Sequence, residues 1–221
     1  MHKQRLLIEI LGRAIYLSHL DRMRTFQRAF LRGGMSLYHT EGFNPHPYIS
    51  FALPLPVGME SKCEILDFEL VDKTPLEQVA GLLNPVLPEG MRVLDSYQSL
   101  RKIKELTHLS FHGIWEYDDA ARREHMAEKL EHFFKQEEIF VRKLNKKKEE
   151  VTLDIVPLIS EISFTQTDEN IQLNAVLAAQ NPGLNPNLLL ETLKQNAVDL
   201  TPDFAMFRRL AVLDQNSDIF R

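Results

Sequence analysis

The sequence predicts an α+β protein made of two tandem ferredoxin-like domains, each β-α-β-β-α-β with an antiparallel sheet. Three observations predict it. Short stretches of strand character recur along all 221 residues, separated by segments of helical spacing. Over 1–100 these segments run strand, helix, strand, strand, helix, strand, the split βαβ arrangement. After a charged stretch from Ser99 to Lys104 the same rhythm starts again, with no identity of letters between the halves. The expected domains are therefore 1–100 and 101–221, and a hydrophobic content of 44% is enough for a core in each.

Gln4 to Ile15 is apolar and β-prone, hence the first strand. Ser18 is a good helix N-cap, with Asp21 three residues on as a capping-box variant. Leu20, Met23, Phe26, Gln27 and Phe30 follow at helical spacing, and Gly33-Gly34 stops the helix. Ser36 to His39 predicts a short strand, Ile49 to Leu55 another, and the alternating EILDFELV, Glu64 to Val71, a third. Thr74 as cap and Pro75 at the first helical position open a second helix, and Met91 to Tyr97 closes the half. Beyond the boundary, Leu106 to Tyr117 reads as strand, and AARREHMAEKLEHFFKQ as one helix with Met126, Leu130, Phe133 and Phe134 inward. EIFVRKL and VTLDIVPLI flank the turn NKKKEE, and EISFTQ and IQLNAVLAA flank TDEN. NPNLLLETLKQNA is a helix and FRRLAVLD the last strand. Asp154 with Pro157 inside a strand-like run implies an edge, a bulge or a specific ion pair. Trp115, the single tryptophan, reads as core.

Composition excludes some classes. Charged residues at 26% without low-complexity tracts argue against disorder. No apolar run approaches the roughly 20 residues that span a bilayer, and the N-terminus reads as a strand, not a signal peptide. One cysteine, Cys63, forbids an intrachain disulfide; with it go the expectations of a cytoplasmic protein with no metal and no cofactor. The net charge is −5, but its distribution is uneven. Met1 to Lys62 carries eight Lys/Arg against four Asp/Glu, and Cys63 to Leu100 two against seven. Local potential, not total charge, decides where a polyanion docks.

Three constellations can carry chemistry. Arg24, Arg28 and Arg32 stand at i, i+4 and i+8 on one helical face, with Arg22 to the side. The planar guanidinium fork suits phosphate, although a solvated helix face has the same pattern. Next comes SLYHTEGFNPHPYISFALPLPVG, where Asn44, Pro45, His46 and Pro47 set a stiff turn beside His39 and Glu41. Such preorganisation suits a binding clamp, or equally a corner that seats the first helix on the sheet. His19, His39 and His46 are the candidate catalytic imidazoles, since a metal-independent ribonuclease needs a base, an acid and a stabiliser of phosphorane charge. No nucleophile, zinc or P-loop pattern accompanies them. The third is a basic hairpin tip, Lys146 and Lys147 with Lys148, able to reach a phosphate backbone or simply to keep the tip soluble.

Ser18-His19-Leu20-Asp21, Glu41-Gly42-Phe43-Asn44-Pro45-His46-Pro47, Ile49-Ser50-Phe51-Ala52, Leu53-Pro54-Leu55-Pro56 with Gly58, and Asp154 to Ile159 together resemble the bacterial radical-SAM-linked proteins of unknown function. These stand alone or are fused to the C-terminus of radical S-adenosylmethionine proteins. The family more often has Arg where Val156 stands here, which removes one charged contact. The resemblance implies a neighbourhood of RNA-processing and ribosomal genes and a radical-SAM partner, and no known reaction. Cys63 alone cannot hold an iron–sulfur cluster, so any radical chemistry would belong to that partner. A fainter similarity of layout is to the CRISPR repeat-processing endoribonucleases. The expectation is an RNA-binding accessory protein that presents ribosomal or transfer RNA to a modifying or processing enzyme. Arg22, Arg24, Arg28, Arg32, His39, Asn44, His46, Lys146 and Lys147 would touch the RNA, and no membrane is involved. The alternatives are a protein–protein adaptor for a radical-SAM enzyme and a metal-independent endoribonuclease.

Overall fold

Leu6, Ile8 and Ile10 are buried while Leu7 and Glu9 are half-buried, the period-2 signature of a strand with one core face; this is β1, Gln4–Ile10. The computed structural model describes residues 4–145, 147–180 and 182–221. The chain divides into two units, Met1–Glu105 with Arg221, and Leu106–Phe220. It is mixed α+β, and its strand pairs within the units are antiparallel.

In the first unit, Gly12 at φ +55° turns the chain out of β1, and a 3-10 turn, Gly12–Tyr16, buries Ala14 and Ile15. The strand expected to reach Ile15 therefore stops at Ile10. Helix α1, His19–Arg32, starts where Ser18 Oγ accepts the Asp21 N–H at 3.1 Å and donates to the Asp21 carboxylate at 2.7 Å. It ends at Gly33, with Gly34 at φ +75°. Its buried face is Arg22, Phe26, Ala29 and Phe30; Leu20, expected inward, is 63% exposed. Phe26 meets Phe51 edge-on at 5.8 Å and Phe30 meets Phe68 at 5.1 Å, so α1 sits on β2, Ile49–Phe51, and β3, Glu60–Phe68. β2 is shorter than expected because a proline cannot donate to a ladder, and the pairing ends before Pro54. Ser36 to His39 makes only isolated bridges, Leu37 to Leu70 and His39 to Pro47. Helix α2, Leu76–Leu83, follows Pro75, and β4 is Met91–Gln98. The Asn84 amide donates to the Val93 carbonyl at 3.0 Å and accepts the Val93 N–H at 2.8 Å, tying the end of α2 to β4. The strand order is β4-β1-β3-β2. On the face of β1 and β3 opposite Leu6 and Leu66, the cross-strand pair Arg5 and Asp67 forms a buried ion pair at 2.7 Å.

The second unit has four strands in the order β10-β5-β9-β8: β5, Leu106–Glu116; β8, Ile159–Gln166; β9, Ile171–Ala178; and β10, Phe204–Asp214. Trp115 is fully buried, 5.5 Å from Phe164 and 6.3 Å from Phe207. The single helix expected after β5 is two, α3, Ala120–Arg123, and α4, Met126–Phe134, with His125 between them at φ +57°. Arg122 is pinned to Asp203 at 3.0 Å and Arg123 to the Asp168 and Glu169 carbonyls at 2.9 and 2.7 Å. Anchored at both arginines, α3 takes its own direction, while Met126, Leu130, Phe133 and Phe134 are buried as expected.

Two further strands, β6, Phe140–Leu144, and β7, Glu150–Asp154, pair only with each other in a small separate sheet. The second unit thus departs from a plain β-α-β-β-α-β order. Asp154 closes the base of this hairpin: one carboxylate oxygen accepts the N–H groups of Ile139 and Val156, both at 3.1 Å. Pro157 then lies in a 3-10 turn, Val156–Leu158, so the oddity of Asp154 and Pro157 is a backbone clamp and not an ion pair. The outer edge of β6 is met by α5, Asn187–Asn196. The Gln195 amide accepts the Arg142 N–H at 2.8 Å and donates to its carbonyl at 3.0 Å, and Asn196 donates to the Phe140 carbonyl at 2.9 Å. Among the described residues no helix is long and apolar enough to cross a membrane.

Candidate functional site

Helix α1 separates its arginines. A residue advances by about 100° around an α-helix, so Arg22 and Arg24 face nearly opposite ways. Arg22 is 1% exposed and donates to the Leu55 carbonyl at 2.6 Å and the Ile15 carbonyl at 3.0 Å. Its guanidinium fastens the LPLPVG segment to the turn before α1, which the Gly58 N–H also reaches through the Ile15 carbonyl at 3.0 Å. Arg22 therefore lies inside the unit and not on the surface expected to meet RNA.

Arg24, Arg28 and Arg32 are exposed. Arg24 makes only a solvent-exposed pair with Asp21 at 3.5 Å, a contact of small worth. Arg32 donates to the Val86 carbonyl at 2.7 Å, and Arg28 makes no hydrogen bond or ion pair among the described residues.

The Pro-rich corner is held by its own backbone and side chains. The Thr40 N–H donates to the His46 carbonyl at 2.9 Å, and the His46 N–H to Thr40 Oγ1 at 3.3 Å. His46 Nδ1 lies 3.1 Å from Thr40 Oγ1 and 3.2 Å from the Asn44 carbonyl. A carbonyl only accepts, so the Asn44 contact is a hydrogen bond when Nδ1 carries a ring proton. The Tyr48 N–H donates to the Tyr38 carbonyl at 2.7 Å, and Gly42 takes φ +126° at the tip. The Tyr38 hydroxyl reaches Glu41 at 3.4 Å, and that carboxylate raises the phenol pKa. Asn44 and His46 are exposed, and so is His39, whose Nδ1 faces the Leu37 carbonyl at 3.1 Å.

His39 and His46 share the corner, where His39 bridges Pro47 and Thr40 bonds His46; His19 opens α1. His19 packs edge-on against Phe51, ring centres 5.8 Å apart, at the far end of β2. Among the described residues no three His, Cys, Asp or Glu side chains are placed to hold a metal ion. Lys147 is exposed, with its N–H on Asn145 Oδ1 at 2.8 Å. Lys146 lies outside the described residues. Cys63 is buried.

Sequence reasoning overlooked Phe43, which is 112% exposed at the tip of the corner. The signal was present: an aromatic between Gly42 and Asn44 has no apolar neighbour at strand or helix spacing to share a core with. Thr40, the clamp of the turn, was overlooked too.

A family model described as an uncharacterized protein conserved in bacteria, DUF2344, matches residues 3–186. The chain belongs to the DUF2344 family. The match covers the first unit entirely after its opening residues, with α1 and the corner, and runs through β9 to the threshold of α5. The DUF2344 description names no reaction, no nucleic acid and no radical-SAM enzyme. No curated protein matches the chain.

Proposed function

We propose that this DUF2344 protein is an RNA-binding accessory protein that presents structured RNA, ribosomal or transfer, to a modifying or processing enzyme. The observation that carries the reading is the exposed guanidinium face of Arg24, Arg28 and Arg32 on α1, free of buried carboxylate partners. Guanidinium groups in that state exchange water and counterions for phosphate at little cost. The resemblance to radical-SAM-linked proteins supplies the expected class of partner enzyme. Both units read as ferredoxin-like, because β4-β1-β3-β2 and β10-β5-β9-β8 follow one scheme once β6 and β7 are taken as an insertion after α4.

Filter binding of transfer and ribosomal RNA across a salt series tests the proposal. Affinity should fall steeply with salt, and Arg24→Ala with Arg28→Ala should flatten the log–log slope by about two. No binding at low salt, or a double variant with unchanged affinity and slope, rejects it.

A further inference from the structure

The corner carries the most exposed aromatic of the molecule on a turn that its own hydrogen bonds hold in shape. Phe43 is 112% exposed and makes no ring contact among the described residues. Beneath it the turn is closed by Thr40 and His46, which exchange two backbone-anchored hydrogen bonds, and by the His46 ring against the Asn44 carbonyl. A large apolar ring kept in water on a preorganised tip is a contact group waiting for a partner. The surrounding chemistry tells which kind. No Lys or Arg stands between Gly33 and Ser61, so the corner offers no cation to a phosphate. What it presents instead is the Asn44 amide, the His46 ring and the Glu41 carboxylate, all on exposed residues. An aromatic face, an amide with paired donor and acceptor, and a carboxylate acceptor match the face and edge of a nucleobase. They do not match the sugar–phosphate backbone.

We infer that the corner is a base-reading tip, with Phe43 stacking on an unpaired nucleobase and Asn44 and Glu41 hydrogen-bonding its edge. The inference rests on the RNA-binding reading and adds to it the substrate class: RNA with unpaired bases. A ring can lie against a base only where a neighbouring base pair does not already cover that face. The two surfaces then divide the work, with the arginines of α1 taking phosphate charge and the corner sensing whether bases are open.

Fluorescence anisotropy with two RNAs of equal phosphate count tests it: a hairpin with an unpaired purine loop, and a fully paired duplex. The wild-type protein should prefer the hairpin by about 5- to 150-fold, the range of one stacked base. Phe43→Ala and Phe43→Leu should both erase the preference while leaving the salt slope intact, and Phe43→Trp should keep it. A 2-aminopurine in the loop should be quenched by the wild type and by Phe43→Trp, and not by Phe43→Ala. Arg24→Ala with Arg28→Ala should weaken both RNAs alike and preserve the ratio. A Phe43→Ala protein that still prefers the hairpin overturns the inference and leaves the RNA-binding reading standing. So does retention of the preference in Phe43→Leu, because an aliphatic side chain has no ring face to stack on a base. Equal wild-type affinity for the two RNAs also overturns it, whereas absence of binding to either removes both.

Discussion

Arg22 and Arg24 are two residues apart on one helix and meet opposite surroundings. Arg22 is sealed in and spends its guanidinium on two backbone carbonyls; the Arg24 side chain is 64% exposed, with a long contact to Asp21. Arg5 belongs with Arg22, sealed against Asp67 at 2.7 Å, and Arg28 belongs with Arg24. A run of cations in a sequence thus mixes two functions, one that fastens segments together from within and one that faces solvent. Of the four arginines on α1, Arg22 is sealed in, Arg32 is exposed but ties the end of the helix to the Val86 carbonyl, and Arg24 and Arg28 face solvent.

The largest effect should come from the sealed class. Asp67→Ala removes the carboxylate paired with the buried Arg5 cation and is expected to cost about 3–5 kcal/mol in urea unfolding. A loss under about 1 kcal/mol would mean that Arg5 does not depend on its partner, which blurs the division. Next, Arg22→Met leaves the Leu55 and Ile15 carbonyls without their charged donor. Loss of about 2–3 kcal/mol is expected from the denaturation midpoint, with RNA affinity of the folded protein unchanged. The outward class should behave in reverse. Arg24→Ala with Arg28→Ala should stay within about 0.5 kcal/mol of the parent in stability while the salt slope for RNA falls.

The smallest effect sharpens the comparison from the acidic side. The carboxyl of Asp72, at the surface, is held below its ordinary pKa, first by the Thr74 hydroxyl and then by the Ser36 N–H at 2.7 Å. A depressed carboxyl contributes stability that is complete above the unfolded-state value of about 4 and fades as pH falls through the lower folded-state value. Melting temperatures followed downward from neutral pH should therefore drop less steeply in Asp72→Asn than in the parent.

Much of the architecture could be read from local chemistry. Ser18 with Asp21, Gly33-Gly34, and the alternation in β1 and β9 each announce an element through a cap, a stop or a period. What stayed hidden depends on contacts distant in sequence. Arg22 turns inward because Leu55, 33 residues on, offers it a carbonyl. The break at His125 follows from Arg122 finding Asp203, and the small second sheet from Asp154 reaching back to Ile139. The corner was legible as stiff, since its prolines and Gly42 say so, and Phe43, with no apolar neighbour at strand or helix spacing, was legible as a ring without a core to join.

The side-chain amides of Gln195 and Asn196 along the outer edge of β6 have a consequence for how the protein meets its own copies at high concentration. Open strand edges invite neighbouring molecules to zip on and propagate fibres. A helix that occupies those donors and acceptors with its own terminal residues denies that flank to any incoming chain.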